Sequence, residues 1–347
     1  DDCLLYTGNE KAWPFNQIAK PVPRGHNLEI EGDNGGPLFM DIVTKNVESR
    51  GVQIEYNARA LRLIADEDGA VHGFVVRIDN QERNVRASKG VILCTGGFSM
   101  NQDMWQHYSP EVAKRAHPIG NPFDDGAGIR MGQGAGASTL HMNQSFVTIP
   151  FYPPPSHTFG ILVNSQGQRF LNEDVYHARI AVSNIRQLET GEKVYLIIGE
   201  KHWKQPNMLG GEVAAAADNI EELAAEIGLP VGNLSHTFNY YNENAAKGED
   251  PLFHKQADWM EPIEPTLAAV DITPGEHGIY VGFTLGGLET RPSGEVLTMD
   301  GDIIPGLYAA GRATCGMPRN AEGYASGMSV GDVTFFGRLA GRNAAKR

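Results

Sequence analysis

Two tyrosines and a serine carry most of the chemistry legible in this 347-residue chain: Tyr176, Tyr324 and Ser326. A phenol can donate or accept a proton, and a neighbouring hydroxyl can pass one on. Tyr324 and Ser326 stand at the mouth of a Gly-rich stretch, 306–332, that reads GLYAAGRATCGMPRNAEGYASGMSVGD. Tyr176 lies far upstream, so the three act together only if the fold brings them to one place. Leu307–Ala310 reads as a buried strand ended by Gly311, and a helix is expected to begin near Ser326–Ser329. A strand that hands its backbone through glycines to a helix N-terminus makes a seat for something negative or electron-rich.

Other chemistries fit less well. Gly327-Met328-Ser329-Val330-Gly331 matches the nucleophile elbow of serine hydrolases, whose Asp and His must follow the serine in the chain. The last histidine is His277, upstream of Ser329, which excludes that reading. Gly132-Gln133-Gly134-Ala135-Gly136 invites a dinucleotide fingerprint, but it follows no strand and its glycines interrupt a helical pattern at Ile129 and Met131. Close helix packing is expected there instead. The chain has no HExxH and no CxxC, and no metal site is expected. His26, His157, His177, His254 and His277 read as loop or surface residues.

The elements that must position the three hydroxyls belong to an acidic chain. Lys+Arg 29 against Asp+Glu 42 gives a net charge of −13, which offers no pull towards nucleic acid or anionic membrane. Cys3, Cys94 and Cys315 are odd in number and widely spaced, which implies no disulfide framework and a reducing, cytoplasmic compartment. No apolar run reaches the roughly 18 residues of a membrane span. The opening DDCLLYTGNE lacks Met and resembles neither signal nor transit peptide, so a fragment or processed chain is expected.

Residues 1–36 read as irregular, and Leu38–Arg50 as a helix stopped by Gly51. Strands are expected at Val52–Tyr56, Ala60–Ala65 and Val71–Ile78, with Asp66-Glu67-Asp68-Gly69 turning between the last two. Asn84–Ala87 precedes a buried strand, Gly90–Cys94, that ends in Thr95-Gly96-Gly97-Phe98. From about Leu140 the character changes. Strands are expected at Ile161–Val163 and Val194–Ile198, and surface helices at Ile220–Ile227 and Ser235–Ala246, closed by Gly228 and Gly248. Residues 140–275 read as an inserted domain, and the first fold resumes near Gly282. The whole predicts an α/β protein.

GLYAAGRAT, GYASGMSVGDVTFFGRLAG, Thr284-Leu285-Gly286-Gly287-Leu288 and Thr95-Gly96-Gly97-Phe98 together resemble the fumarate reductase/succinate dehydrogenase flavoprotein superfamily. Within it the chain is most similar to the 3-ketosteroid dehydrogenases of the Δ4-(5α) type. That likeness rests on Pro14-Phe15-Asn16, Pro23-Arg24-Gly25-His26, Tyr176 and Tyr324-Ala325-Ser326-Gly327. The resemblance implies a two-dinucleotide-binding-domain flavoprotein. Its Rossmann-like FAD domain would come in two parts, 1–139 and 276–347, around an α+β capping domain at 140–275. It implies FAD as cofactor, with Ala60 at the adenine and Thr95, Gly96, Gly97, Gly311, Arg312, Gly327, Met328, Ser329 and Val330 along the rest. The N–H groups of the C-terminal helix would face flavin N1/O2. It implies that Tyr324 polarises a carbonyl, while Ser326 and Tyr176 remove and relay a proton.

Two departures matter. The family opens with a strand–GxGxxG–helix unit and an acidic ribose contact, and neither occurs here, so the FAD domain is expected to lack its first unit. Fumarate reductases also grip a dicarboxylate with cations, where this chain carries His177, Phe283 and Tyr324. A dianion among those side chains would be desolvated without counter-charge. An apolar, steroid-like ketone is the expected substrate, oxidised with an electron acceptor that the sequence does not identify. Reduction of an unsaturated carboxylic acid, or a non-catalytic relative, is the alternative.

Overall fold

The computed structural model describes residues 11–20, 35–149, 154–206, 211–275 and 278–347. Cys3, the Pro23–His26 stretch, Pro153 and His277 lie outside the described residues. Trp13-Pro14 leads into a single turn, α1 (Phe15–Ile18), and α2 (Gly35–Ser49) follows. The expected helix is therefore present, and Gly51 closes it at φ +72°, a conformation open to glycine. Leu38, Phe39, Met40, Ile42 and Val43 along α2 are all exposed.

An antiparallel meander comes next: β1 (Arg59–Ala65), β2 (Val71–Ile78) and β3 (Gln81–Arg86), in that spatial order. Val52–Tyr56 is not the strand its alternation suggests. Val52, Ile54 and Tyr56 are exposed, and no ladder partner reaches them among the described residues. Alternation marks a face, but a strand also requires a neighbour to take its backbone groups. β4 (Val91–Leu93) then delivers the chain to Thr95-Gly96-Gly97.

Short elements follow: α3 (Gln102–Tyr108), α4 (Pro110–Ala113), β5 (Ala116–Pro118), α5 (Ala127–Gly134), β6 (Thr139–Leu140) and β7 (Ser145–Thr148). Asn101 caps α3 by accepting from the Met104 N–H at 3.1 Å. In α5 a Cβ on Gly132 would come within 2.6 Å of Leu288. Gly132 thus serves helix packing, as the sequence indicated, whereas Gly134 and Gly136 face open space.

β8 (Ile161–Asn164), α6 (His177–Gln187), β9 (Val194–Gly199), β10 (Glu212–Ala217), α7 (Ile220–Glu226), α8 (Val231–Ala245) and β11 (Leu267–Asp271) build a second layer. Their sheet runs β10-β11-β9-β8, all antiparallel. Leu223, Leu234, Phe238 and Tyr241 from the helices bury against Ile161, Val163 and Ile197 from the strands. α8 opens at Val231, one turn before the expected Ser235, because the Pro230 carbonyl already accepts from the Asn233 and Leu234 N–H groups.

The chain returns through β12 (Tyr280–Thr284), β13 (Gly287–Leu288), β14 (Glu295–Leu297) and β15 (Ile303–Ala309), and ends in α9 (Met328–Lys346). β12 lies between β5 and β7, and β15 between β14 and β4. The parallel pairing of β15 with β4 aligns Ala309 with Leu93. Both strands therefore release their glycine turns at the same end of this sheet.

Beneath β8 lies a cluster of buried charge. Arg169 bonds Glu173 through Nε (3.0 Å) and Nη2 (2.8 Å), and Asp250 through Nη1 and Nη2 (3.1 and 3.0 Å). Lys255 Nζ lies 3.2 Å from Glu173 and donates to the Gly160 carbonyl at 2.8 Å. Glu173 also accepts the Leu162 N–H at 3.0 Å. Two cations and two carboxylates thus satisfy one another without water. Glu173→Ala would leave Arg169 and Lys255 sharing Asp250, and urea denaturation should show a loss of about 3–5 kcal/mol.

His157 gives a pH signature. Its ring stacks on Trp203 with centroids 5.1 Å apart, and its Nε2–H donates to the Lys204 carbonyl at 2.9 Å. Burial drives its pKa down to about 4. Between pH 6.5 and 4 the unfolded chain binds a proton that the folded chain refuses. Stability should therefore fall as pH drops through that window, by about 1.4 kcal/mol per pH unit for this proton. His157→Gln keeps a donor for the carbonyl and should flatten the slope by one proton, read from urea midpoints at stepped pH.

Candidate active site

β7 and β12 pair so that Phe146 lies directly opposite Phe283. Neighbouring rings on one sheet face stack, and these do, at 4.7 Å and 19°. The Tyr324 ring joins them, 4.6 Å from Phe146 and 6.0 Å from Phe283. Tyr176, at the N-cap of α6, lies near-parallel to Tyr324 at 6.3 Å. His177 packs on Tyr176 at 4.0 Å and meets Phe146 edge-on at 6.0 Å. The three positions where fumarate reductases are expected to carry cations, 177, 283 and 324, therefore share one aromatic cluster.

The hydroxyls converge on it. Tyr176 Oη and Ser326 Oγ are 2.6 Å apart, and Tyr324 Oη is 2.9 Å from Ser329 Oγ. Tyr176 and Tyr324 are buried, whereas Ser326 is exposed. Burial raises the Tyr324 phenol above its ordinary pKa, while Ser329 and the Arg312 charge pull it the other way. His177 is neutral at physiological pH, because desolvation lowers its pKa to about 4. Thr148 Oγ1 donates to the Ile149 carbonyl at 2.8 Å and also bonds His177 Nδ1.

Arg312 brings a cation to the edge of the cluster. Its guanidinium lies over Phe283, 5.1 Å from the ring centroid, and pairs with the Asp124 carboxylate. Asp124 is buried in a cradle of glycines. A Cβ on Gly120 would come within 2.6 Å of its carboxylate, and one on Gly96 would overlap it. Neither the Asp124–Arg312 pair nor this cradle is recognisable from sequence. The signal is faint: Thr95-Gly96-Gly97 and Phe123-Asp124-Asp125-Gly126 look like independent turns.

The other sequence-assigned positions group into two places. Ala60 lies on β1, whose outer edge is unpaired among the described residues, beside a groove of about 500 Å3 shared with Ala127, Arg130, Met131 and Gly134 of α5. Gly311 ends β15, and Gly327, at φ +87°, is the N-cap of α9, with no side-chain cap bond. The Met328 N–H bonds the Ala325 carbonyl, and the Gly331 N–H that of Gly327. The Val330 N–H meets no acceptor among the described residues. Thr95 fits against Gly128, and Gly97 against Thr284. A strand edge with open backbone groups suits an adenine, and an uncapped N-terminus of a 19-residue helix suits the electron-rich end of a flavin. These residues fit FAD. Among the described residues no group of three or more His, Cys, Asp or Glu is placed to hold a metal, and no helix is long and apolar enough to cross a membrane.

Comparison with known proteins finds related chains. A solved 3-ketosteroid-Δ4-(5α)-dehydrogenase of Rhodococcus jostii, in complex with 4-androstene-3,17-dione, is 39% identical. It matches 99% of this chain and 71% of its own, with a TM-score of 0.89. A probable fumarate reductase of Shewanella frigidimarina is 28% identical over 91% of this chain and 54% of its own length. A 3-oxosteroid 1-dehydrogenase of Mycobacterium tuberculosis is 28% identical over 88% of this chain and 61% of its own. The chain thus spans little more than half the length of these two curated relatives. Residues 28–327 match the FAD binding domain family throughout, and the chain belongs to that family.

Proposed function

We propose that this chain serves the FAD-dependent dehydrogenation of a 3-ketosteroid-like substrate. The observation that carries the reading is the aromatic cluster of Phe146, Phe283, Tyr176 and Tyr324, with His177 neutral and Arg312 tied to Asp124. Such a wall suits a flat apolar ring system with a single carbonyl. The similarity to the Rhodococcus enzyme supports the same class of ligand. A carboxylate, as in fumarate, would have to draw Arg312 away from a buried partner. On this reading residues 140–275 cap the site, and 1–139 with 276–347 hold the cofactor.

Ala60 would meet the adenine, and Gly311, Gly327, Met328 and Val330 the flavin. Thr95, Gly96, Gly97 and Arg312 would support that seat from behind through Gly128, Asp124 and Thr284. When bound, FAD supplies the acceptor for the hydride that leaves the substrate's β-carbon. Tyr324 donates its hydroxyl proton as a hydrogen bond to the carbonyl oxygen. That bond gains most as enolate charge develops, so it accelerates the reaction and does not merely bind the ketone. Ser326, the accessible hydroxyl, takes the proton from the α-carbon as its own proton passes to Tyr176 Oη. Tyr176, buried behind it, accepts that proton as its own leaves for bulk water, the net acceptor of the α-proton.

Tyr324→Phe should lower turnover of a saturated 3-ketosteroid, assayed with an artificial electron acceptor, by about 10²–10³-fold. The visible flavin spectrum should stay that of the parent protein. Turnover close to wild type in Tyr324→Phe, or reduction of fumarate at a comparable rate by the unmutated protein, would overturn the reading.

A further inference from the structure

A phenol has one proton to give and an oxygen that can accept. If Tyr324 directs its proton at a ketone, as proposed above, its oxygen must accept from elsewhere or stay unsatisfied in a buried place. The role assigned below to Ser329 rests on that reading of Tyr324. Ser329 Oγ lies 2.9 Å from the phenol oxygen. The Ser329 backbone N–H also acts on that oxygen and lowers the phenol's pKa, without forming a full hydrogen bond.

Ser329 is the second residue of α9, a 19-residue helix whose N-cap Gly327 supplies no side chain. The first N–H groups of such a helix carry its positive end. Resemblance assigns Ser329 to the flavin. In the structure its side chain turns instead to Tyr324, while Val330 keeps an N–H open for a cofactor.

We propose that Ser329 is a positioning residue for Tyr324: its hydroxyl donates to the phenol oxygen, leaving the phenol's own proton for an enolisable ketone. As negative charge gathers on the carbonyl oxygen, the phenol bond tightens. Charge drawn onto the phenol oxygen then meets the Ser329 hydroxyl and the positive end of α9. Among the described residues, the other groups around Tyr324 are engaged elsewhere or have no proton to give. Tyr176 is engaged with Ser326, Arg312 with Asp124 and His177 with Thr148, and Phe146 and Phe283 have nothing to donate. The loop 314–327 and the start of α9 thereby work as one unit, a five-residue spacing that puts donor and support within reach.

The test uses the FAD-loaded protein and 4-androstene-3,17-dione carrying 13C at its C3 carbonyl. The infrared stretch of that carbonyl should lie lower in the wild type than in Tyr324→Phe. Ser329→Ala should lose part of that lowering, and Ser329→Thr, which keeps the hydroxyl, should restore it. For a saturated 3-ketosteroid, Ser329→Ala should lower kcat about fivefold, the worth of one neutral hydrogen bond, with KM nearly unchanged. A wild-type stretch and wild-type kcat in Ser329→Ala would overturn the proposal. A separate readout keeps the two readings apart. In protein labelled with 13Cζ-tyrosine, Ser329→Ala should shift the Tyr324 resonance even with no ketone present. If the Tyr324→Phe stretch equals the wild-type one, the ketone reading falls, and the tyrosine resonance still decides on Ser329. An unmoved resonance together with weakened FAD binding would make Ser329 a flavin contact and overturn the proposal.

Discussion

The site depends on charges that have no water to turn to. Arg169 and Lys255, held by Glu173 and Asp250, pin the irregular loop that runs between β8 and α6. Asn172 and Asp174 extend the grip: Asp174 accepts from Asn172 at 3.0 Å and from the Gln256 side chain at 2.9 Å. The chain leaves this anchor at Val175, and Tyr176 is the N-cap of α6. A tyrosine so placed cannot drift from Ser326, which arrives on a different element 150 residues away. Buried pairs are weak sources of net stability, but breaking one is costly, which suits them to fixing geometry. The energy here goes into keeping one hydroxyl opposite another.

Much of the fold was legible because the sequence marks its ends well. Gly51, Gly228 and Gly248 close helices at positive φ, as their positions suggested. The apolar run Leu307–Ala310 is a buried strand, because nothing polar interrupts it. The short elements were not legible. α3 and α4 hold seven and four residues, too few to show a period. β10, rich in alanine, lacks the branched residues that announce a strand. α6 hid behind the motif that precedes it.

The candidate site was legible in its members and not in their connections. Tyr176, Tyr324 and Ser326 do converge, which spacing could not show. The register that sets Phe283 against Phe146 is a property of two strands more than a hundred residues apart. The hydrogen bond between Ser329 and Tyr324 is not visible in a motif that assigns Ser329 to the flavin. Motifs report what a position contacts on average across relatives, whereas hydrogen bonding is settled by local supply of donors and acceptors.

Asp124 bears on how such a site could change its diet over evolutionary time. It is a single carboxylate, yet it keeps Arg312 from acting as a free cation beside the aromatic wall. A lineage that lost it would leave a guanidinium poised over Phe283 with no partner, a few ångströms from the cluster where we propose ketone chemistry. That is the group a carboxylate substrate requires. The step between neutral and anionic substrates would then need no new cation, only the removal of the residue that occupies one. Gly96 and Gly120 would be freed of crowding at the same moment, though their backbone angles, φ +76° and +158°, would still hold them to glycine. A charge held in reserve by its own counter-ion is a short mutational path to another specificity.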